Sequence, residues 1–281
     1  MIVPPEPQTT DRVARHYDEV DGIYRELWGE HLHHGLWLTG EESPETAVET
    51  LVRRVADAAK IGERARVCDI GCGYGATARW LAERRSAEVT GVTLSRNQVE
   101  VARSRPVDGP APRFLLGDWL KSGLPGSSFD AAIAIESSEH MEDKAAFARE
   151  AHRILRPGGR LVVCAWTAAE EPRAWEVSRL LEPICVEGRL PGLATAEEYR
   201  GWLGGAGFEG IAAEDLSECV RRTWSVCVRR MVGWLASRPA AWRYVLDPGN
   251  EDRAFGRGVL RIWLAYRTGC LRYTLIRSVK G

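Results

Sequence analysis

Lysine is scarce in this chain of 281 residues: Lys60, Lys121, Lys144 and Lys280 are the only four, so 34 of the 38 basic side chains are arginine. The imbalance reads as coding bias rather than as a binding device, because 39 acidic residues bring the net charge to −1. No global field draws the chain to nucleic acid or to an anionic membrane. Long apolar runs are also missing. The longest, such as Leu161–Trp166, are strand-sized and far short of the roughly 20 residues that span a bilayer. The start, Met1-Ile2-Val3-Pro4-Pro5-Glu6, lacks the basic and apolar regions of a signal peptide, so the expected localisation is cytoplasmic. The seven cysteines are odd in number and contain no Cys-x-x-Cys pair, which predicts reduced core or pocket thiols. What remains is ordinary: 44% apolar and 27% charged residues, 28 Gly and 14 Pro. Disorder and low complexity are excluded, and the length suits one large domain or a domain carrying a sizeable insertion.

Periodicity supplies the organisation. Aromatic and aliphatic residues over Asp11–Trp28 predict a helical N-terminal segment, and Ser43-Pro44 opens an amphipathic helix carrying Val48, Leu51, Val52, Val55 and Ala59. Strands are expected at Arg66–Ile70, Glu88–Val92, Arg113–Leu116, Phe129–Ile135 and Leu161–Trp166. Helices alternate with them at Ala76–Arg84, after Ser95-x-x-Gln98, and from Asp143 to Leu155 ahead of Arg156-Pro157-Gly158-Gly159. That rhythm implies a doubly wound, mostly parallel α/β sheet. Thr195-x-x-Glu198 opens a further helix, Phe208–Ala213 reads as a sixth strand, and Leu271–Ile276 is a last strand expected at the sheet edge. Between them Ser217–Arg267 is helical and rich in aromatics: Trp224, Trp234, Trp242, Tyr244, Phe255, Trp263 and Tyr266.

The most informative segment joins the first strand to its helix: Asp69-Ile70-Gly71-Cys72-Gly73-Tyr74-Gly75-Ala76. Glycines there let the backbone approach a ligand at the carboxyl end of a strand, where open α/β sheets bind cofactors. Gly71-x-Gly73-x-x-Ala76 also fits a dinucleotide fingerprint, but the second strand ends Gly91-Val92-Thr93-Leu94-Ser95, without the acid that holds a ribose. With Gly117-Asp118-Trp119 after the third strand, the arrangement resembles the class I S-adenosylmethionine-dependent methyltransferases. Four segments, Trp28–Trp37, Gly91–Gln98, Glu136–Met141 and Gly269–Leu275, are similar to the tocopherol methyltransferase branch and its natural-product relatives. The likeness runs from about residue 16 to the end.

The resemblance implies a Rossmann-like, mostly parallel seven-stranded sheet with an N-terminal helical cap (1–60), a cofactor-binding core (61–216), a helical lid (217–267) and a final strand (268–281). It implies S-adenosylmethionine as cofactor, with Gly71, Cys72 and Gly73 against the methionine part, Asp69 fixing the turn, and Thr93, Leu94 and Gln98 facing the ribose. Asp118 would bond the adenine amino group with Trp119 packed nearby, and Glu136 and Ser137 would lie beneath the sulfonium. For catalysis it points to His140 as proton acceptor and Glu136 as electrostatic partner. Trp37 and Trp224 are the expected substrate contacts.

Blander readings stand beside these. His31, His33 and His34 lack a matching ligand set for a metal and read as a loop closing over the cofactor; no metal is expected. Cys72 reads as packing rather than as a nucleophile. The doublets Arg221-Arg222 and Arg229-Arg230 are either a solvated helix face or a contact for an anionic group such as a diphosphate. The function expected is methyl transfer to a carbon or oxygen of a hydrophobic small molecule, an isoprenoid or other secondary metabolite. The alternative from another class is a cofactor-bound cyclase of a polyene, with a non-catalytic binding module further behind. A nucleic-acid methyltransferase is disfavoured by the charge balance and by the lack of a base-flipping signature.

Overall fold

Short apolar runs separated by capped helices build the sheet. In the computed structural model, residues 1–9, 13, 31–237 and 253–281 are described. The helix expected over Asp11–Trp28 therefore lies outside the described residues, as do Trp242 and Tyr244 and the side chains of Trp234 and Phe255. Ser43 caps α1 (Pro44–Ala58), its hydroxyl accepting from the Thr46 N–H at 3.2 Å, and the helix buries Leu51, Val52 and Val55. Then come β1 (Arg66–Ile70), α2 (Ala76–Arg85), β2 (Glu88–Thr93), α3 (Arg96–Ser104), β3 (Arg113–Leu116), β4 (Phe129–Ile135), α4 (Lys144–Ile154) and β5 (Leu155–Ala168).

The next stretch carries elements whose spacing gave no signal: α5 (Ala174–Glu176), a π-helical turn at Val177–Leu181, and α6 (Glu182–Glu187). Thr195 and Glu198 then form the expected capping box of α7 (Ala196–Gly205). The chain ends with β6 (Phe208–Asp215), α8 (Ser217–Val220), α9 (Arg222–Ser237), α10 (Arg253–Thr268) and β7 (Leu271–Lys280).

The seven strands form one sheet in the order β3-β2-β1-β4-β5-β7-β6. Neighbours from β3 to β5 pair in parallel, and β7 runs antiparallel to both β5 and β6. Two expectations need correcting. β7 is not at the edge: Leu271, Tyr273–Ile276 and Ser278 are buried, and the strand pairs with β5 from Ala168↔Leu271 to Arg160↔Val279, leaving the partly exposed β6 outermost. β5 is also longer than Leu161–Trp166. It starts as soon as α4 stops, and Arg156–Gly159 bulges out as the register passes from Phe129↔Leu155 to Ala131↔Arg160.

Successive strands run one way from β1 to β3 and the other way from β4 to β5, so a crevice opens beyond the carboxyl ends of β1 and β4. Among the described residues no helix is long and apolar enough to cross a membrane.

Gly75 enters α2 at φ +74°, and a Cβ there would stand 2.5 Å from the Phe114 ring; Gly73, at φ +52°, would point a Cβ into open space. Gly75→Ala should therefore cost about 2–4 kcal/mol, combining a left-handed backbone with overpacking, and Gly73→Ala only about 1–2. Urea midpoints check this; equal losses would contradict the packing account.

Candidate active site

Loops leaving the carboxyl ends of β1, β2, β3 and β4 enclose a cleft of about 930 Å³. β1 contributes Asp69, Gly71, Cys72 and Gly73; β2 contributes Val92, Thr93 and Leu94, followed by Ser95 and Gln98; Gly117 and Trp119 follow β3; Ile135, Glu136, Ser137, His140 and Met141 come from β4 and its exit. Val13, His31, Leu32 and His33 close one side. The glycine loop is tied down by main-chain bonds from Gly71 and Cys72 to the Val92 carbonyl at 2.8 and 3.0 Å. Ser137 Oγ donates to the Ile70 carbonyl at 2.5 Å, so β1 and β4 end in register. A Cβ on Gly71 would come within 2.3 Å of Ser137, which makes glycine obligatory there.

Glu136 is the densest point of the site. It sits at φ +51°, and its Oε1 accepts from the His34 N–H at 2.7 Å, His34 Nδ1 at 2.9 Å and the Tyr273 hydroxyl at 2.9 Å. Its Oε2 accepts from Trp166 Nε1 at 3.0 Å. Behind it, Trp224 Nε1 donates to His34 Nε2 at 2.6 Å, with the Tyr266 hydroxyl 3.2 Å away. An indole N–H can only donate, so His34 Nε2 accepts from Trp224 while Nδ1 faces the Glu136 carboxylate. Burial alone would raise the Glu136 carboxyl; the His34 imidazole and main chain facing it outweigh that and hold it at about 2.

A methyltransferase-domain family model matches residues 68–163, from β1 into β5. The 27-O-demethylrifamycin SV methyltransferase of Amycolatopsis mediterranei (strain S699) is 33% identical over 229 residues, covering 80% of this chain and 84% of that protein. The chloroplastic tocopherol O-methyltransferase of Arabidopsis thaliana is 30% identical over 249 residues, covering 79% and 70%. Among solved structures, the [4+2]-cyclase SpnF superposes with a TM-score of 0.80 at 26% identity, covering 100% of this chain and 99% of that one. The chain belongs to the S-adenosylmethionine-dependent methyltransferases, in the branch that includes the tocopherol methyltransferases. Its cofactor is S-adenosylmethionine.

The cleft of this methyltransferase fits that molecule. Asp69 Oδ2 is buried without a hydrogen-bond partner beside the cleft, and burial pushes the carboxyl up to about 7, which is the condition of an anion awaiting a cation. Gly73 leaves its approach open. Thr93 Oγ1 donates to Gln98 Oε1 at 2.7 Å, joining the end of β2 to α3. Cys72 packs into the space that Gly91 leaves, and burial raises its thiol well above the usual range, so it is not a thiolate nucleophile.

Three expected site residues are not on the cleft wall. Asp118 Oδ1 caps the turn Trp119–Lys121, accepting from the Leu120 N–H at 2.9 Å. Trp37 is buried with Ala47 and Val226, its Nε1 donating to Thr223 at 3.0 Å. Trp224 is buried against His34. Both tryptophans were the substrate contacts that the family resemblance implied; packing between α1 and α9 holds Trp37 inward, and the bond to His34 holds Trp224.

The histidines form a row. His31 Nδ1 lies 3.1 Å from His33 Nε2, and His33 Nδ1 lies 2.9 Å from the His34 carbonyl. Burial lowers both rings, His31 to about 3, with the facing His33 and Arg79 adding to the effect on His31. His140 Nδ1 points at the Arg189 carbonyl at 3.4 Å. Glu139, next to it in sequence, faces away from the cleft: its Oε1 accepts from the Trp166 N–H at 2.7 Å, and burial pushes its carboxyl up.

These shifts set an order for pH. Glu136, His31 and His33 have depressed folded pKa values, so the stability they contribute is lost as pH falls below the unfolded values, toward about 2 for Glu136 and about 3 for His31. Asp69 and Glu139 have raised values, so theirs is lost as pH climbs through about 7 and above. Between roughly pH 4.5 and 6.5 the opposing slopes offset each other. Urea midpoints should form a plateau there and fall on both sides, and Glu136→Gln should remove acid-limb stability on the order of 3 kcal/mol at neutral pH. Midpoints that rise steadily from pH 6.5 to 8 would contradict the raised carboxyls.

Proposed function

We propose that this methyltransferase moves a methyl group to an oxygen or carbon of a hydrophobic natural product held beneath the segment 31–34. The observation that carries the reading is the composition of the cleft wall. The polar layer of Asp69, Thr93, Gln98 and Ser137 lies at the strand ends, and an apolar set of Val13, Leu32, Leu94, Ile135 and Met141 surrounds it. Relatives named for rifamycin and tocopherol acceptors support the same class of substrate.

In this reading residues 1–60 cap the cleft, 61–216 form the cofactor-binding core, 217–267 cover it as a helical lid and 268–281 return to the sheet. Asp69 meets the cofactor's ammonium, Gly71, Cys72 and Gly73 border its methionine part, and Thr93, Leu94 and Gln98 face the ribose. Asp118 keeps its second carboxylate oxygen for the adenine amino group, with Trp119 alongside. Ser137 and Glu136 lie under the reacting end. S-adenosylmethionine supplies an electrophilic methyl group, and the chain supplies alignment, a dry site and a route for the acceptor's proton.

Glu136 and His140 divide that work. With both carboxylate oxygens bonded and a pKa near 2, Glu136 acts as a fixed negative charge, stabilising positive charge that develops on the acceptor. His140, on the cleft wall with its Nδ1 at the Arg189 carbonyl, is the proton acceptor. Trp224 and Trp37 act behind the wall, Trp224 by fixing His34 and Trp37 by packing α9 on α1.

S-adenosylmethionine should raise the melting temperature while NAD does not, and Gly73→Val should abolish the shift. The cofactor's Kd should tighten between about pH 5.5 and 7, by up to about tenfold per unit, because Asp69 must lose its proton to pair with the ammonium. Asp69→Asn should flatten that dependence. A melt raised by NAD alone would overturn the cofactor assignment for this chain.

At saturating cofactor, His140→Ala should lower kcat by about 10²–10⁴-fold. Wild-type kcat with an unchanged pH profile would place the base elsewhere. One observation favours a second reading, cyclisation of a bound polyene: the [4+2]-cyclase matches the whole chain. Release of S-adenosylhomocysteine in step with product identifies methyl transfer; a cyclised product without it identifies the cyclase.

A further inference from the structure

A second concave site lies on the helical insert, away from the cofactor cleft. It is a groove of about 1180 Å³ between α9 and α10, closed at one end by the turn after α8. Arg222, Ser225, Val226 and Arg229 reach it from one face of α9, at the spacing that aligns side chains along a helix, and Trp263, Tyr266 and Arg267 do so from α10. Of the doublet Arg229-Arg230 only the first lines the groove; Arg221 and Arg222 both do.

Four guanidinium groups thus share one concavity with a single carboxylate, that of Glu218, which pairs with Arg221 at 2.7 Å. Arg222, Arg229 and Arg267 have no ion pair among the described residues. Two of them are held in place by stacking instead: Arg267 lies 4.4 Å over the Trp263 ring and Arg222 lies 5.3 Å over Trp37. All four guanidinium side chains are exposed, so an anion arriving from solvent can reach them without any rearrangement of the helices.

We infer that this groove is a binding site for the diphosphate group of a small organic molecule. A single carboxylate would satisfy one guanidinium fork, whereas a diphosphate presents oxygens on two adjacent phosphoryl groups and enough charge for three. Trp263 and Tyr266 add an aromatic wall on which an organic body attached to the diphosphate can pack. The site is distinct from the methyl-transfer cleft but touches the same framework. Tyr266 lines the groove, its hydroxyl bonds His34, and His34 bonds Glu136 on the cleft wall.

The test is calorimetric titration of the protein saturated with S-adenosylhomocysteine, using inorganic diphosphate, dimethylallyl diphosphate and the uncharged dimethylallyl alcohol as probes. Both diphosphates should bind, the alcohol should not, and affinity should fall as salt is raised. The double substitution Arg229→Gln, Arg267→Gln should weaken both diphosphates at least tenfold while changing S-adenosylhomocysteine affinity less than twofold, which shows that the variant is folded. Trp263→Leu should weaken both diphosphates, and the organic one by the larger factor, because it removes the packing surface as well as the ring on which Arg267 stacks. No diphosphate binding by the wild type, or binding that the double substitution leaves intact, overturns the proposal. So does arginine-dependent binding to anionic phospholipid vesicles without binding of the soluble diphosphates, which would make the groove a membrane contact. These outcomes are independent of whether the cofactor binds its own cleft.

Discussion

A carboxylate buried at the end of β4 organises everything around it. Glu136 leaves the strand in a left-handed conformation, which aims its side chain back across the sheet end, and four hydrogen-bond donations converge on it from two sides. An anion in such a place is tolerable only when its donors are supplied by rigid elements. The donors come from the segment 31–34, from β5 through Trp166 and from β7 through Tyr273, so the charge can be kept only if those three parts are assembled together. The antiparallel insertion of β7 between β5 and β6 thus has a local consequence: it delivers the Tyr273 hydroxyl to the cleft wall, which an edge position two strands away could not do.

Three carboxylates within a few residues of the strand ends show how environment, rather than residue type, sets their state. Glu136 has four donations and stays ionised. Glu139, three residues later, accepts from the Trp166 main chain, yet burial dominates and lifts its pKa. Asp69 has a buried oxygen with no partner at all, and its raised pKa stores a cost that a cation in the cleft would relieve. The first is fixed by its donors, the second by the packing behind it, and the third is left with an unpartnered oxygen beside the cleft.

The parts of this arrangement that could be read in the sequence are those determined by near neighbours. The strand and helix alternation from Arg66 to Trp166, the capping of α1 and α7, and the glycine loop all follow from residues within a few positions of one another. The position of β7 did not, because nothing local to Leu271–Ile276 says which strands it pairs with; only the completed sheet places it between β5 and β6. α5 and α6 escaped because their backbone passes through a π-helical turn, which breaks the 3.6-residue period. The Glu136 network was invisible for a different reason: positions 34, 136, 166, 224, 266 and 273 share no local pattern, and only the fold brings them together.

The aromatic insert takes on a different meaning once that network is in view. Abundant tryptophans suggested a wall against which a greasy acceptor would lie, but Trp224 and Tyr266 place their polar atoms on His34. Their large apolar faces fill the interior while their polar atoms fix one imidazole. Because that imidazole turns its Nδ1 toward Glu136, the insert fixes one of the four donations that keep the carboxylate ionised. The insert therefore acts on the cleft at one remove: Trp224 and Tyr266 hold His34, and His34 holds the carboxylate on the cleft wall.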